Sequence, residues 1–343
     1  MKKVLITGAA GFIGTHLVKA FLSIGWKVVG IDDLNNFTYS AKIKYDRLAY
    51  LGIQNPNFDR DPHVRAGNFD FYKVDVCETP IVKAMIIDGN YNLIIHLAGM
   101  TSVSASSLSP FVFFDTIVKG FENVIDGIRD IDKEHRPRFI FASSAAVYGN
   151  TRGASLVEDN KNLLHPDSIY GACKCMTEDA AETYAKLYNV RSVALRFFNI
   201  YGPFIRPDTL FYISADSLYS GSSIPVYGEA CHDFMYVGDC INAILKVAFE
   251  PAAQESPFET LNIGTADPIS IENVIRTFEI QTGRKAQIHK EAVPNGEIQN
   301  LTADTTKFNS RYEIRPQTTF EEGVKLFFEW FKDYNKNNYD FSC

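Results

Sequence analysis

Val4-Leu5-Ile6-Thr7-Gly8-Ala9-Ala10-Gly11-Phe12-Ile13-Gly14 is the stretch on which the fold turns. Val4, Leu5 and Ile6 make a short apolar run of the kind that fills a buried strand. Phe12, Ile13, Leu17, Val18, Phe21 and Leu22 then recur at helical spacing. Between the two stand Gly8, Gly11 and Gly14, which let the backbone turn tightly and approach a pyrophosphate seated on the helix N-terminus. Such a turn can also bind nothing. The strand before it and the helix after it favour a dinucleotide, held by Gly8, Gly11, Phe12, Ile13 and Gly14.

Working outward, the apolar run from Trp26 to Ile31 ends in Asp32-Asp33. A carboxylate there accepts hydrogen bonds from an adenosine ribose and repels a 2′-phosphate, so Asp32 points to NAD rather than NADP. Asp33 is expected to cap the following loop. Residues 35–70 read as an irregular, polar connection with a helix near Ile43–Leu51, covering the cofactor or serving a partner subunit. Phe71-Tyr72-Lys73-Val74 is expected as a third strand that brings Asp75 and Val76 to the adenine edge. Leu93-Ile94-Ile95-His96 is a fourth, opening into Leu97-Ala98-Gly99 where ligands of parallel sheets collect. His96 reads as a structural strand-end histidine.

One long helix is expected from Ser104 to about Ile131, with Pro110 in its early part. Phe139-Ile140-Phe141-Ala142 and Val193-Ala194-Leu195-Arg196-Phe197 read as fifth and sixth strands. They deliver Ser143, Ser144 and Asn199 to the same sheet edge. The alternation predicts an α/β fold, a Rossmann-type doubly wound parallel sheet. Beyond Pro203 the alternation decays into proline-punctuated pieces, so a smaller C-terminal substrate-binding domain is expected. The cofactor domain would span 1–198 with a return segment 234–264, and the substrate domain 199–233 and 265–343. The aromatic helix Phe320–Tyr334 is expected to pack.

Tyr170-Gly171-Ala172-Cys173-Lys174 opens a helix running to about Tyr188. A spacing of four puts phenol and ammonium on one face, where the cation favours the phenolate and the tyrosine can act as a base. The pattern also arises by chance on solvated helices, so its weight comes from the rest of the chain.

A net charge of -7 and a pI of about 5.6 argue against nucleic acid or an anionic membrane as partner, so phosphates must be met by local donors. Six cysteines without a Cys-x-x-Cys pair read as reduced thiols, with no metal site. No signal segment or apolar run of spanning length is found in the sequence, and a cytoplasmic protein is expected.

Together the glycine loop, Asp32, Ser144, Tyr170 and Lys174 resemble the extended short-chain dehydrogenase/reductase family, and within it the NAD-dependent nucleotide-sugar epimerases and dehydratases. Further support comes from Ser143-Ser144-Ala145-Ala146-Val147-Tyr148-Gly149, Arg196-Phe197-Phe198-Asn199-Ile200-Tyr201-Gly202-Pro203, His232-Asp233-Phe234 and Asn262-Ile263-Gly264. The resemblance implies that Tyr170 takes the proton of a sugar hydroxyl, Ser144 hydrogen-bonds the same oxygen, and Lys174 holds the nicotinamide ribose. It places Asn199, Arg206 and His232 at the substrate and implies a homodimer through the helices beginning near Ser104 and Ile169.

Dehydratases of this family usually carry an Asp-Glu pair where Ala145-Ala146 stand, which favours epimerisation without elimination. Gly202-Pro203-Phe204-Ile205-Arg206-Pro207-Asp208 resembles UDP-glucuronate 4-epimerases, whose arginine meets the sugar carboxylate; an ordinary ion pair is the plainer role for Arg206. The chain departs from the pattern at His232, where an arginine grips the diphosphate, at Ile117, where an asparagine is usual, and at Asn295 in the late Pro-Gly-Asp-like segment. The expected reaction is inversion at C4 of a nucleotide-sugar, UDP-glucuronate to UDP-galacturonate, through a transient keto-sugar. A nucleotide-sugar oxidoreductase or a 4,6-dehydratase on a GDP-, CDP- or other UDP-sugar is the alternative.

Overall fold

The computed structural model describes residues 1–150, 155–250, 257–294, 296, 298–339 and 341; Asn295 and Cys343 therefore lie outside the described residues. In chain order, β1 (Lys3–Thr7) runs into α1 (Phe12–Ser23), followed by β2 (Lys27–Asp32) and α2 (Lys42–Tyr50). Next come β3 (His63–Ala66), β4 (Phe69–Lys73), α3 (Thr79–Asp88) and β5 (Leu93–His96). Then follow α4 (Val103–Leu108), α5 (Pro110–Phe113), a π-helical stretch Phe114–Lys119, α6 (Gly120–Arg129), β6 (Arg138–Ser144), α7 (Ile169–Tyr188) and β7 (Ser192–Phe197). The remainder is β8 (Asn199–Tyr201), α8 (Leu210–Ser220), β9 (Ser223–Tyr227), β10 (Cys231–Tyr236), α9 (Val237–Phe249) and β11 (Phe258–Ile263). It ends with β12 (Pro268–Ser270), α10 (Ile271–Thr282), β13 (Gln287–Glu291), β14 (Asn300–Leu301), α11 (Thr306–Tyr312) and α12 (Phe320–Tyr334).

Eight strands form one sheet in the order β11-β7-β6-β5-β1-β2-β4-β3, parallel except for β3. Strand order reverses between β1 and β5, which opens a crevice at their carboxyl ends. Side chains along β1 alternate between two cores, Val4 and Ile6 with Leu17, Val18 and Phe21 on one face, Leu5 with Ile94, Phe121 and Phe139 on the other. A third, aromatic core of Phe211, Phe234, Phe278, Phe327 and Phe331 holds the C-terminal part together around α12.

Three expectations need correction. The 35–70 connection contains the edge strand β3 as well as a helix, because Asp70 inside β4 gathers Arg65 (2.5 Å), His63 (3.0 Å) and Lys27 (3.2 Å). The single helix over 104–131 is broken at Ser109 (φ −140°, ψ 63°), since Pro110 has no amide to continue the ladder and forbids a helical residue before it. The return segment is split. Helix α9 and β11 rejoin the cofactor part, but β10 pairs with β8, β12 and β14 in a small separate sheet. Buried Asp233 anchors it there by accepting from the amides of Thr265 and Ala266, both at 2.8 Å.

Candidate active site

The glycine turn is built by contacts that exclude a side chain. A Cβ on Gly14 would sit 2.1 Å from the Gly8 carbonyl oxygen, and one on Gly8, itself at φ +68°, would meet the Ala98 amide at 2.9 Å. The turn after β1 is therefore pressed against the loop after β5, and Thr7 ties them: its hydroxyl accepts from the Ala98 amide (3.1 Å) and meets His96 Nδ1 at 2.8 Å. Burial and the Lys174 charge push His96 down to about 3, so the imidazole stays neutral.

One cleft runs from this turn across the carboxyl ends of β2, β4, β5 and β6 to the C-terminal part. Gly8, Gly11, Phe12, Ile13, Gly14, Asp32, Asp75, Val76, Leu97, Ala98 and Gly99 line its first half. Ser144, Tyr170, Lys174, Asn199, Arg206 and His232 line the second, so every candidate residue read from the sequence faces the same space. The glycines of the turn facing the cleft, the carboxylate at the end of β2 and the apolar lining of Val76, Leu97 and Ala98 fit a dinucleotide such as NAD. At the other half the Asn199 side-chain amide is buried without a hydrogen-bond partner among the described residues, a donor left for a ligand.

Ser168 caps α7 by accepting from the Gly171 amide (3.1 Å), which sets Tyr170 and Lys174 in its first turns. Burial raises the Tyr170 pKa, while the Ser144 hydroxyl and the Arg206 charge pull it down. The lysine does less to the phenol than the spacing suggested. Its ammonium lies 6.0 Å from the tyrosine ring centroid and donates to the Ala142 carbonyl (2.7 Å). Burial brings Lys174 down to about 8 against the opposing pull of Cys173 and Glu178. Met100, Phe113, Ile117 and Cys173 form a buried apolar cluster, whose Ile117 lies with the Lys174 ammonium near Gly99.

Arg206 does make the plain ion pair, to Asp208 (3.0 and 3.2 Å), yet it also lines the cleft. His232 Nε2 bonds the Ile298 carbonyl oxygen (2.7 Å), and burial lowers its pKa. Among the described residues the cleft's carboxylates are Asp32, Asp33 and Asp75, all at the dinucleotide end. Ala145 and Ala146, buried beside Ser144, offer no proton.

Asp33 accepts from the Asn35 amide (3.1 Å) and thereby turns the loop. Asp32 is not a bare carboxylate. Its oxygens take the amides of Ala10 (3.2 Å) and Leu34 (2.9 Å), and buried Lys44 stands 3.5 Å away; burial, opposed by Lys44, raises its pKa. Lys44 and Tyr39 also line the cleft and were not singled out as site residues by sequence. The one available signal was the run Lys44-Tyr45-Asp46-Arg47 on a helix that buries Lys44 and Arg47.

The sequence profile described as GDP-mannose 4,6 dehydratase matches residues 5–327. Protein CapI of Staphylococcus aureus is 32% identical over 97% of this chain and 99% of its own length. The UDP-glucuronate 4-epimerase of Thermodesulfobacterium geofontis is 28% identical over 96% of both. The crystal structure of UDP-glucuronic acid 4-epimerase from Bacillus cereus, in complex with UDP-glucuronic acid and NAD, superposes with a TM-score of 0.85 at 27% identity, over 97% of this chain and 99% of that one. With its glycine turn, Ser144, Tyr170 and Lys174 on one cleft, the chain belongs to the GDP-mannose 4,6 dehydratase family, the extended short-chain dehydrogenases/reductases that act as NAD-dependent nucleotide-sugar epimerases and dehydratases.

Proposed function

We propose that the protein is a nucleotide-sugar 4-epimerase acting on UDP-glucuronate and UDP-galacturonate. The observation that carries this is the meeting of Ser144, Tyr170 and Lys174 with Arg206 in one cleft whose position after Ser144 is held by two alanines. Bound NAD supplies the hydride acceptor that turns a sugar carbinol into a ketone, and the donor that reverses it. Tyr170 takes the hydroxyl proton at C4 through its phenolic oxygen and returns it, Ser144 orients that oxygen, and Lys174 keeps a positive charge beneath the pair. Arg206 receives the sugar carboxylate in a charge-assisted pair, taking over from or sharing with Asp208. Elimination of the 6-hydroxyl would need a further acid and base, and Ala145 and Ala146 supply neither.

The UDP-glucuronate 4-epimerases among the relatives, and the UDP-glucuronic acid bound to the Bacillus cereus structure, support the same substrate. Assignment of Asn199 and His232 to the nucleotide-sugar, a cytoplasmic location, a homodimer, and a division into a cofactor part (1–198 with α9 and β11) and a substrate part made of the rest, β10 included, belong to this proposal.

Incubation with UDP-glucuronate followed by proton NMR of the sugar ring tests it. A galacturonate anomeric signal is expected, with kcat reduced about 10²- to 10⁴-fold in Tyr170→Phe while NAD is retained. Protein that holds NAD but leaves UDP-glucuronate unchanged would sink the substrate assignment; loss of one water from another nucleotide-sugar would favour the dehydratase.

A further inference from the structure

Arg47, on α2, is fully buried, and among the described residues no carboxylate pairs with it. Its guanidinium is spent on neutral oxygens from distant parts of the chain. Nη1 donates to the Ala10 carbonyl (3.0 Å) and the Tyr39 hydroxyl (3.3 Å), while Nε and Nη2 both donate to the Phe204 carbonyl (3.2 and 2.7 Å). Ala10 lies inside the glycine turn, and Phe204 stands two residues before Arg206. Phe204 is held at φ +63°, a left-handed conformation that a bulky side chain resists without an external hold. The preceding carbonyl is held as well, since His16 Nε2 of α1 lies 2.8 Å from the Pro203 oxygen. Tyr39 closes the loop: Arg47 and Arg206 each lie 5.8 Å from the centre of its ring.

A buried cation bonded only to neutral oxygens is costly even with the Asp32 carboxylate near enough to feel its charge, and a neutral residue of similar size would avoid the cost. From this contact chain, running Ala10–Arg47–Phe204–Arg206, we infer that Arg47 is a positioning residue that registers the Arg206 arm against the dinucleotide turn. The inference rests on the proposed carboxylate role of Arg206. Arg47 does not line the cleft. It acts by setting where Arg206 points, so its contribution to uronate affinity exists only while Arg206 is present.

A double-mutant cycle on the NAD-loaded protein reads this directly. UDP-glucuronate affinity is measured by calorimetry for wild type, Arg47→Met, Arg206→Ala and the double variant, with NAD content and melting temperature recorded for each. Arg47→Met is expected to weaken binding about tenfold in the wild-type background and by less than about twofold in Arg206→Ala. Arg47→Lys, which keeps the charge but cannot fork between two carbonyls, gives the same pattern and serves if the methionine variant does not fold. An equal loss in both backgrounds, or none in either, overturns the inference while leaving the substrate intact. Wild-type protein that holds NAD and does not bind UDP-glucuronate overturns the substrate reading first, and this inference with it.

Discussion

Lys174 keeps its ammonium buried on the Ala142 carbonyl, and that placement governs how the site responds to pH. Ile117 of the apolar cluster lies with it near Gly99, and burial is the main reason its pKa falls to about 8. The groups that face it are Glu178 and Cys173 on its own helix, Tyr170 one turn before, and neutral His96 on β5. Because the folded value lies below the usual lysine value, the ammonium is present below about pH 8 and is lost as pH rises through it. The kcat/KM of the epimerase is therefore expected to fall on the alkaline side from about pH 8. Ile117→Asn, which puts a polar group near the amine, should move that limb upward by about one pH unit; an unmoved limb would show that Lys174 does not control it. Sequence put the lysine on the first turns of α7, but its partners were out of reach. The spacing of four suggested a lysine–phenol couple, whereas the folded chain brings the Arg206 charge to bear on Tyr170 from 36 residues away.

At the scale of elements, α4 and α5 are where periodicity misled. An apolar pattern continuous from Ser104 to Ile131 hides a break at Ser109-Pro110, and the break turns Leu108 (85% exposed) and Phe111 (82% exposed) outward. On α7, Leu187 (67% exposed) and Met176 (46% exposed) are uncovered as well. Large apolar side chains on three helices fit the homodimer proposed above. The double substitution Leu108→Glu, Phe111→Glu is expected to convert the dimer to a monomer in light scattering, with the melting temperature of the monomeric core little changed. A wild-type monomer, or a charged variant that stays dimeric, would remove these helices from the interface. Strand β3 escaped notice for the opposite reason. His63-Val64-Arg65-Ala66 has little apolar content of its own and is held by charge around Asp70, whose pKa falls to about 2 because Arg65, His63 and Lys27 outweigh the effect of burial.

Across the whole molecule, a buried polar network joins the large sheet to the segments at Leu156 and Asp304. Glu178 of α7 takes Arg196 of β7 in a two-pronged pair (2.9 and 2.6 Å) and accepts from Ser143 (2.5 Å). Arg196 continues to Tyr148, and Tyr148 to Asn262 of β11, both at 2.8 Å. Asn262 in turn donates to the carbonyls of Leu156 (2.6 Å) and Asp304 (3.0 Å). Removing one charge strands the other in a dry interior, so Glu178→Gln should cost about 3–5 kcal/mol in unfolding free energy, read by denaturant titration. A cost below about 1 kcal/mol would mean that the network relaxes or admits water. By itself, the sequence determined the parallel α/β order and the strand, glycine turn and helix at the start of the chain, because each is written in short-range periodicity or glycine spacing; Ser144, Tyr170 and Lys174 were put forward together only through the family resemblance. Only the tertiary structure decided that β10 leaves the large sheet, that Lys44 sits on Asp32, and that Arg47 bridges Ala10 to Phe204. Those outcomes depend on which polar groups become buried together from positions as much as 157 residues apart, and burial of that kind leaves no local pattern in the chain.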